Sequence, residues 1–130
     1  MDEIDVKILG ILKRNARTKY VKIAEAVGLT EGAVRRRMRE LVRQGVIRKF
    51  TIETTVELEG IVLVRTEPTR TGKATTEIRR VAERVFETSG DYDIAALIQA
   101  QTMAELNQKI DEIRKLPDIL TTNTLVKLNE

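Results

Sequence analysis

The spacing of apolar residues divides this chain into two kinds of pattern. Up to about residue 45, apolar side chains return every three or four positions, the period of a helix with one buried side. Ile4, Ile8, Leu9, Ile11 and Leu12 form the first stripe, Val21, Ile23, Ala24 and Val27 the second, and Val34, Met38 and Leu41 the third. Three helices are predicted: one from Asp2 or Glu3 to Arg14, one opening at Thr18, and one from Thr30 to about Gln44. Thr18 and Thr30 read as N-caps, whose hydroxyls accept backbone N–H groups left open at a helix start. Gly28 and Gly45 read as left-handed stops. Asp2, Glu3 and Asp5 suit the positive end of the first helix dipole, and Lys13 and Arg14 the negative end.

Beyond residue 45 the pattern turns to β-branched runs. Residues 46–53 predict a strand, either a wing or a connector. Residues 60–67 predict another, ended by Pro68, which cannot donate to a central ladder. A helix follows over 75–83 with Ile78, Val81 and Ala82 on one side. Next come a short strand over 84–88, a turn-rich loop over 89–93, a strand over 94–100, a helix over 104–115 with Leu106, Ile110 and Ile113 inward, and a last strand over 119–128. The order β-α-β-β-α-β is the ferredoxin-like arrangement, with two helices on one face of a four-stranded antiparallel sheet. The other face calls for a partner, because so large a bare apolar face is unusual on a stable monomer. Dimerisation through the sheet faces is therefore expected.

Charge sharpens the division. The net charge is +3, yet residues 1–50 carry 13 Lys/Arg and 6 Asp/Glu, a net +7, and the remainder carries −4. A basic first part and an acidic second part point to nucleic acid for the first alone. The chain has neither Cys nor His, which removes disulfides, Cys/His zinc sites and Ser–His–Asp or Cys–His catalysis. The acids are scattered, so no catalytic residue, metal site or cofactor is expected, and the chain reads as a non-enzyme. No apolar run nears the roughly 18 residues of a membrane span. Asp2, Glu3 and Asp5 stand where a signal peptide would be basic, so the expected location is the cytoplasm.

The third predicted helix carries the sharpest functional signal. Arg35, Arg36, Arg37 and Arg39 crowd around its apolar stripe, and it follows a helix and a short Gly28-containing turn. Helix, tight turn and basic helix form the helix-turn-helix that lays a recognition helix in the DNA major groove. Residues near that helix's N-terminus reach base edges, which nominates Glu31, Gly32, Arg35, Arg36 and Arg39, with Thr30 beside them as a further DNA-binding residue. Arginine's planar fork can take O6 and N7 of guanine or clamp a phosphate. Gly32 permits close approach, and Arg17, Lys19 and Lys22 flank the groove as phosphate contacts. Arg37 leans toward the apolar side and is expected to pair with an acid of the protein. A solvated basic helix without a ligand is the plainer alternative. The expected fold class is α+β: an N-terminal (winged) helix-turn-helix domain over 1–50, a linker strand over 51–59, and a ferredoxin-like domain over 60–130 for oligomerisation.

The run Asp5, Ile8-Leu9, Leu12, Asn15-Ala16-Arg17-Thr18, Ile23-Ala24, Val27-Gly28-Leu29-Thr30, Val34, Arg37-Met38, Leu41 and Gly45-Val46-Ile47 closely resembles the leucine-responsive/AsnC regulators, also called feast/famine proteins. The loop 88–93, Leu116-Pro117 and the stretch 121–124 extend that resemblance over nearly the whole chain. It implies a transcriptional regulator that binds double-stranded DNA as a homodimer, assembles further into tetramers or octamers, and takes an amino acid or similar metabolite between subunits. Carried onto this chain, the effector loop corresponds to Gly90, Tyr92 and Asp93, with Thr121, Thr122 and Thr124 nearby. Gly90 and Asp91 can offer amides to a carboxylate, and Asp93 can accept from an ammonium; a plain turn capped by Asp93 is the simpler alternative. The linker looks shorter than usual for the family, and the first helix starts almost at Met1 without the usual leading tail. The sequence looks most like archaeal regulators of amino-acid metabolism, including the lysine-responsive type. The rival reading is an architectural DNA-compacting protein with little sequence preference and no effector.

Overall fold

The computed structural model describes all 130 residues. They form two compact units, Met1–Glu53 and Thr54–Glu130.

The first unit holds three helices, α1 (Glu3–Arg14), α2 (Tyr20–Val27) and α3 (Glu31–Arg43). Ile8, Ile23, Ala24, Val34 and Met38 pack as its core, flanked by Ile4, Ile11, Leu12, Tyr20, Val27, Leu29 and Ile47. α1 opens on a capping box: Asp2 accepts from the Asp5 N–H at 2.9 Å, while Asp5 accepts from the Asp2 N–H at 3.3 Å. Thr30 caps α3 by accepting from the Ala33 N–H at 3.2 Å. Gly28 (φ 74°) and Gly45 (φ 75°) take the left-handed conformation that turns the chain after α2 and α3.

Two details of the helix-capping and stripe reading are corrected. Thr18 does not cap α2: Lys19 occupies that position without a side-chain bond, and the Thr18 hydroxyl donates back to the Asn15 carbonyl at 2.7 Å. The nearby carbonyl outcompetes the helix N–H groups, closing the α1–α2 turn instead. On α2, Val21 is exposed and Tyr20 packs on the core in its place.

The expected strand over 46–53 and the linker strand over 51–59 are also corrected, and with them the wing. Residues 46–57 contain no strand. Strand formation needs a second strand alongside, and no strand pairs with this segment; its apolar Phe50, Ile52 and Val56 remain 65%, 81% and 80% exposed.

The second unit is a sheet of β1 (Leu58–Thr66), β2 (Arg84–Glu87), β3 (Ile94–Ala100) and β4 (Ile119–Val126), with α4 (Thr71–Ile78) and α5 (Met103–Arg114). The strand order is β2-β3-β1-β4 and every pairing is antiparallel, the ferredoxin-like topology. Val62, Val64, Ile94, Ala96, Ile98 and Ala100 meet Ala74, Ile78, Leu106, Ile110 and Ile113 of the two helices, sealing one face. Alternation along each strand sends Ile61, Leu63, Leu97 and Leu125 to the other face, where no element covers them. Ile61 and Leu125 stay 41% and 52% exposed, and with Leu97 they border an open hollow of about 310 Å³.

α4 is displaced from the expected 75–83. It begins at Thr71, where an apolar stripe is missing, because its buried side is the small set Ala74, Thr75 and Ile78. The Thr75 hydroxyl is satisfied by the Thr71 carbonyl at 2.9 Å. It ends at Ile78 because the chain must reach the sheet: the Glu83 N–H already donates to the Leu97 carbonyl at 2.8 Å.

Candidate functional site

α3 presents its residues at 100° intervals, so the side opposite Val34, Met38 and Leu41 carries Gly32, Arg36, Arg39 and Arg43. Arg36 and Arg39 are exposed and have no acid partner. Arg35 stands at the flank, held by Glu31 at 2.7 Å and lying 5.1 Å from the centroid of the Tyr20 ring. That ring contact brings the first turn of α2, with Lys19 just before it, alongside α3. Lys22 lies 3.7 Å from Glu25, and Arg17 and Lys19 are exposed. Arg43 shares the outer side of α3 and was not singled out from sequence. Its spacing from Arg36 and Arg39 was the available signal, but Glu40 holds it through the guanidinium, with Nε 2.9 Å from the carboxylate. Arg43 and Gln44 together pull the Glu40 carboxyl down to about 2.

Arg37 behaves as expected of a residue turned inward. Its guanidinium donates to both Asp2 carboxylate oxygens at 2.8 Å and to Asp5 at 3.1 Å. The two acids that cap α1 thereby tie α1 to the recognition helix. The hydrogen bond from Arg37 is the main cause that lowers the Asp2 carboxyl from its ordinary value. Of the four arginines at 35–39, two are therefore committed to protein acids and two face solvent.

In the second unit the loop 88–93 is built as follows. Gly90 has φ 107°, a conformation strained for any other residue. The Thr88 N–H donates to the Asp93 carbonyl at 2.9 Å, and the Thr88 hydroxyl to the Tyr92 carbonyl at 2.7 Å. Asp93 is half-buried; its N–H donates to the Val64 carbonyl and its carboxylate accepts from the Thr66 N–H at 2.9 Å. The carboxylate thus caps β1 at the point where the β1–β4 register shifts, between Arg65 and Thr66. Asp91 is exposed and Tyr92 half-buried, with the Asn123 side chain 3.5 Å from the Tyr92 hydroxyl.

The threonines of β4 divide between the faces. Thr121 pairs with Arg65 on the bare face, next to the loop, whereas Thr122 and Thr124 pair with Val64 and Val62 and belong to the helix-covered face. The structure therefore gathers Gly90, Asp91, Tyr92 and Thr121, and separates Thr122 and Thr124 from them by the thickness of the sheet. Arg65, missed from sequence, completes the cluster: its Nε donates to the Asp91 carbonyl at 2.7 Å. No helix of the chain is long and apolar enough to cross a membrane.

Comparison with known proteins assigns both units. Residues 1–42 match the AsnC-type helix-turn-helix domain and residues 59–130 the Lrp/AsnC ligand binding domain. The chain is 41% identical to the HTH-type transcriptional regulator LysM of Sulfurisphaera tokodaii, across 98% of this chain and 95% of that protein. Identity to LysM of Saccharolobus solfataricus is also 41%, across 98% and 94%. The Pyrococcus horikoshii regulator FL11 is 32% identical across 98% and 89%. Two solved structures share the fold at low identity. Mycobacterium tuberculosis LrpA superposes with a TM-score of 0.82 at 20% identity, covering 100% of this chain and 94% of that one. A Neisseria meningitidis transcriptional regulator, solved as its L-Met complex, gives 0.72 at 19% identity, covering 100% and 91%. The chain belongs to the Lrp/AsnC family of helix-turn-helix transcriptional regulators, which are not enzymes.

Proposed function

We propose that this regulator binds double-stranded DNA as a homodimer that places one α3 in each of two successive major grooves. Half-sites would then lie about 34–36 Å apart or a multiple of it. The observation that carries this reading is the outer side of α3: Gly32 leaves room for close approach, and Arg36 and Arg39 have no acid partner. Arg36 and Arg39 read bases, Arg35 does so after exchanging Glu31 for DNA, and Thr30, Arg17, Lys19 and Lys22 contact phosphates. The two units divide the labour, 1–53 meeting DNA and 54–130 joining subunits and taking an amino-acid effector. The bare sheet face of Ile61, Leu97 and Leu125 supports dimerisation there, since burying apolar area is the dominant favourable contribution to most protein association.

The effector is read as L-lysine or a related amino acid, bound at the loop 88–93 with Thr121. The two LysM proteins support the choice of lysine. An effector acts only through unequal affinity for two assembly states. The regulated genes then belong to amino-acid metabolism.

The test is binding to the protein's own upstream DNA and to random DNA, over a salt series, with and without each free amino acid. A large specific-to-random ratio that moves with one amino acid is expected. Equal binding to both, with a steep salt slope and no ligand effect, would replace this reading with an architectural DNA-compacting one. Sedimentation of Leu125→Asp is expected to report monomers where the parent protein reports dimers.

A further inference from the structure

We infer that Arg65 is the group that grips the carboxylate of the effector. This rests on the reading of the 88–93 loop as an effector site and adds to it a residue from a different element. Arg65 is a cation at the end of a strand whose preceding run, Ile61 to Val64, is apolar, and no acid of the protein pairs with it. Two contacts hold it in place. Its Nε–H donates to the Asp91 carbonyl at 2.7 Å, and its guanidinium carbon lies 5.6 Å from the centroid of the Tyr92 ring. A guanidinium has five N–H donors in a fixed fork, and the Asp91 carbonyl consumes one. The terminal amino groups are left for a planar, two-oxygen acceptor, and the rigid fork matches a carboxylate better than a lysine ammonium does.

Position strengthens the argument. Arg65 is paired directly with Thr121, and the register shift follows it at once. Such irregularities recur beside functional sites because they re-aim a side chain. Arg65 therefore joins the two segments, the 88–93 loop and the start of β4, that the effector reading needs together. It also stands on β1, an interior strand of the sheet, and sites built on strands are held more precisely than sites on loops. The opposite charge lies on the same loop. The Asp93 carboxylate is occupied by the Thr66 N–H, whereas Asp91 is exposed and accepts only through its backbone carbonyl. One arginine fork and one open carboxylate complement the two charges of an α-amino acid.

The test is calorimetric titration of the full-length protein with L-lysine and L-lysinamide, and with the matching acid and amide pairs of the other nineteen amino acids. The amide is expected to bind the parent protein at least about tenfold more weakly than the acid, the scale of a charge-assisted hydrogen bond. In Arg65→Gln the acid should weaken by a similar factor, so that acid and amide bind alike. Arg65→Lys, which keeps the charge and loses the fork, should show a reduced ratio, and it carries the test if the Gln variant does not fold. An acid-to-amide ratio in either variant equal to that of the parent overturns the assignment while leaving the effector reading intact. Binding of none of the twenty to the parent overturns both.

Discussion

The two units solve the burial problem differently, and the difference explains where each keeps its function. Three helices each give one stripe to a shared centre, so Ile8, Ile23, Val34 and Met38 are sealed and the outer side of α3 is free to be polar. A sheet has two faces, and two helices can cover one. The second unit therefore seals Val62, Ile94 and Ile98 and leaves Ile61 and Leu125 to solvent. The first unit is complete within itself and faces outward with charge. The second leaves one apolar sheet face bare, the face through which the proposed dimer assembles.

The sharpest way to break this contrast is to damage each core separately. Ile8→Ala and Ile98→Ala both empty a fully buried position, and each should cost its own unit about 2–5 kcal/mol in denaturant unfolding. Loss of the α3 face should disturb DNA binding and leave the sheet alone. Arg39→Ala is expected to lower specific affinity by about 1–3 kcal/mol with relaxed preference at one base, measured on a panel of operator variants. A uniform loss on every sequence, with the salt slope reduced by about one, would make Arg39 a phosphate contact instead.

Acid should distinguish the units by their ion pairs. The Asp2 carboxyl is lowered by Arg37, and the Glu59 carboxyl by Lys127 and then Gln99. A carboxyl lowered in the folded state stabilises above its unfolded value, and that stability is lost as pH falls through the folded value. Melting temperature should therefore be flat near neutrality and fall below about pH 4, the ordinary carboxylate range. Arg37→Met should make the acid limb of the first unit shallower, leaving the part due to Glu40, and Lys127→Met should do the same for the second, leaving the part due to Glu105. The smallest effects concern caps. Thr30→Ala should cost about 1 kcal/mol, whereas Thr18→Ala should leave α2 unaffected in cap energy, because its hydroxyl serves the Asn15 carbonyl.

Most of the helical half was legible in the sequence because its signals are local. The Thr30 cap, the left-handed Gly28 and Gly45, and the inward turn of Arg37 follow from neighbours within a few residues and from helical period. The β-α-β-β-α-β order of the second half was legible through the count and spacing of its apolar runs. The candidate ligand cluster was legible only in part. The 88–93 loop was visible as a turn, but Arg65 entered through a contact 26 residues away along the chain. The strands expected over 46–53 and 51–59 are absent up to residue 57, because β-branched residues carry propensity while strand structure is a property of a pair.

The sequence by itself determined the three helices of the first unit, where the positive charge gathers, and that Cys and His chemistry is absent. Those are matters of composition and short-range period. Only the tertiary structure decided that Asp2 and Asp5 occupy Arg37 while Arg36 and Arg39 stay open. The same holds for the bare-face position of Thr121, away from Thr122 and Thr124, and for the arrival of Arg65 at the loop. Each of those outcomes depends on which distant segments are brought within hydrogen-bonding distance, a choice made by burying the apolar faces and not by any residue's own preference.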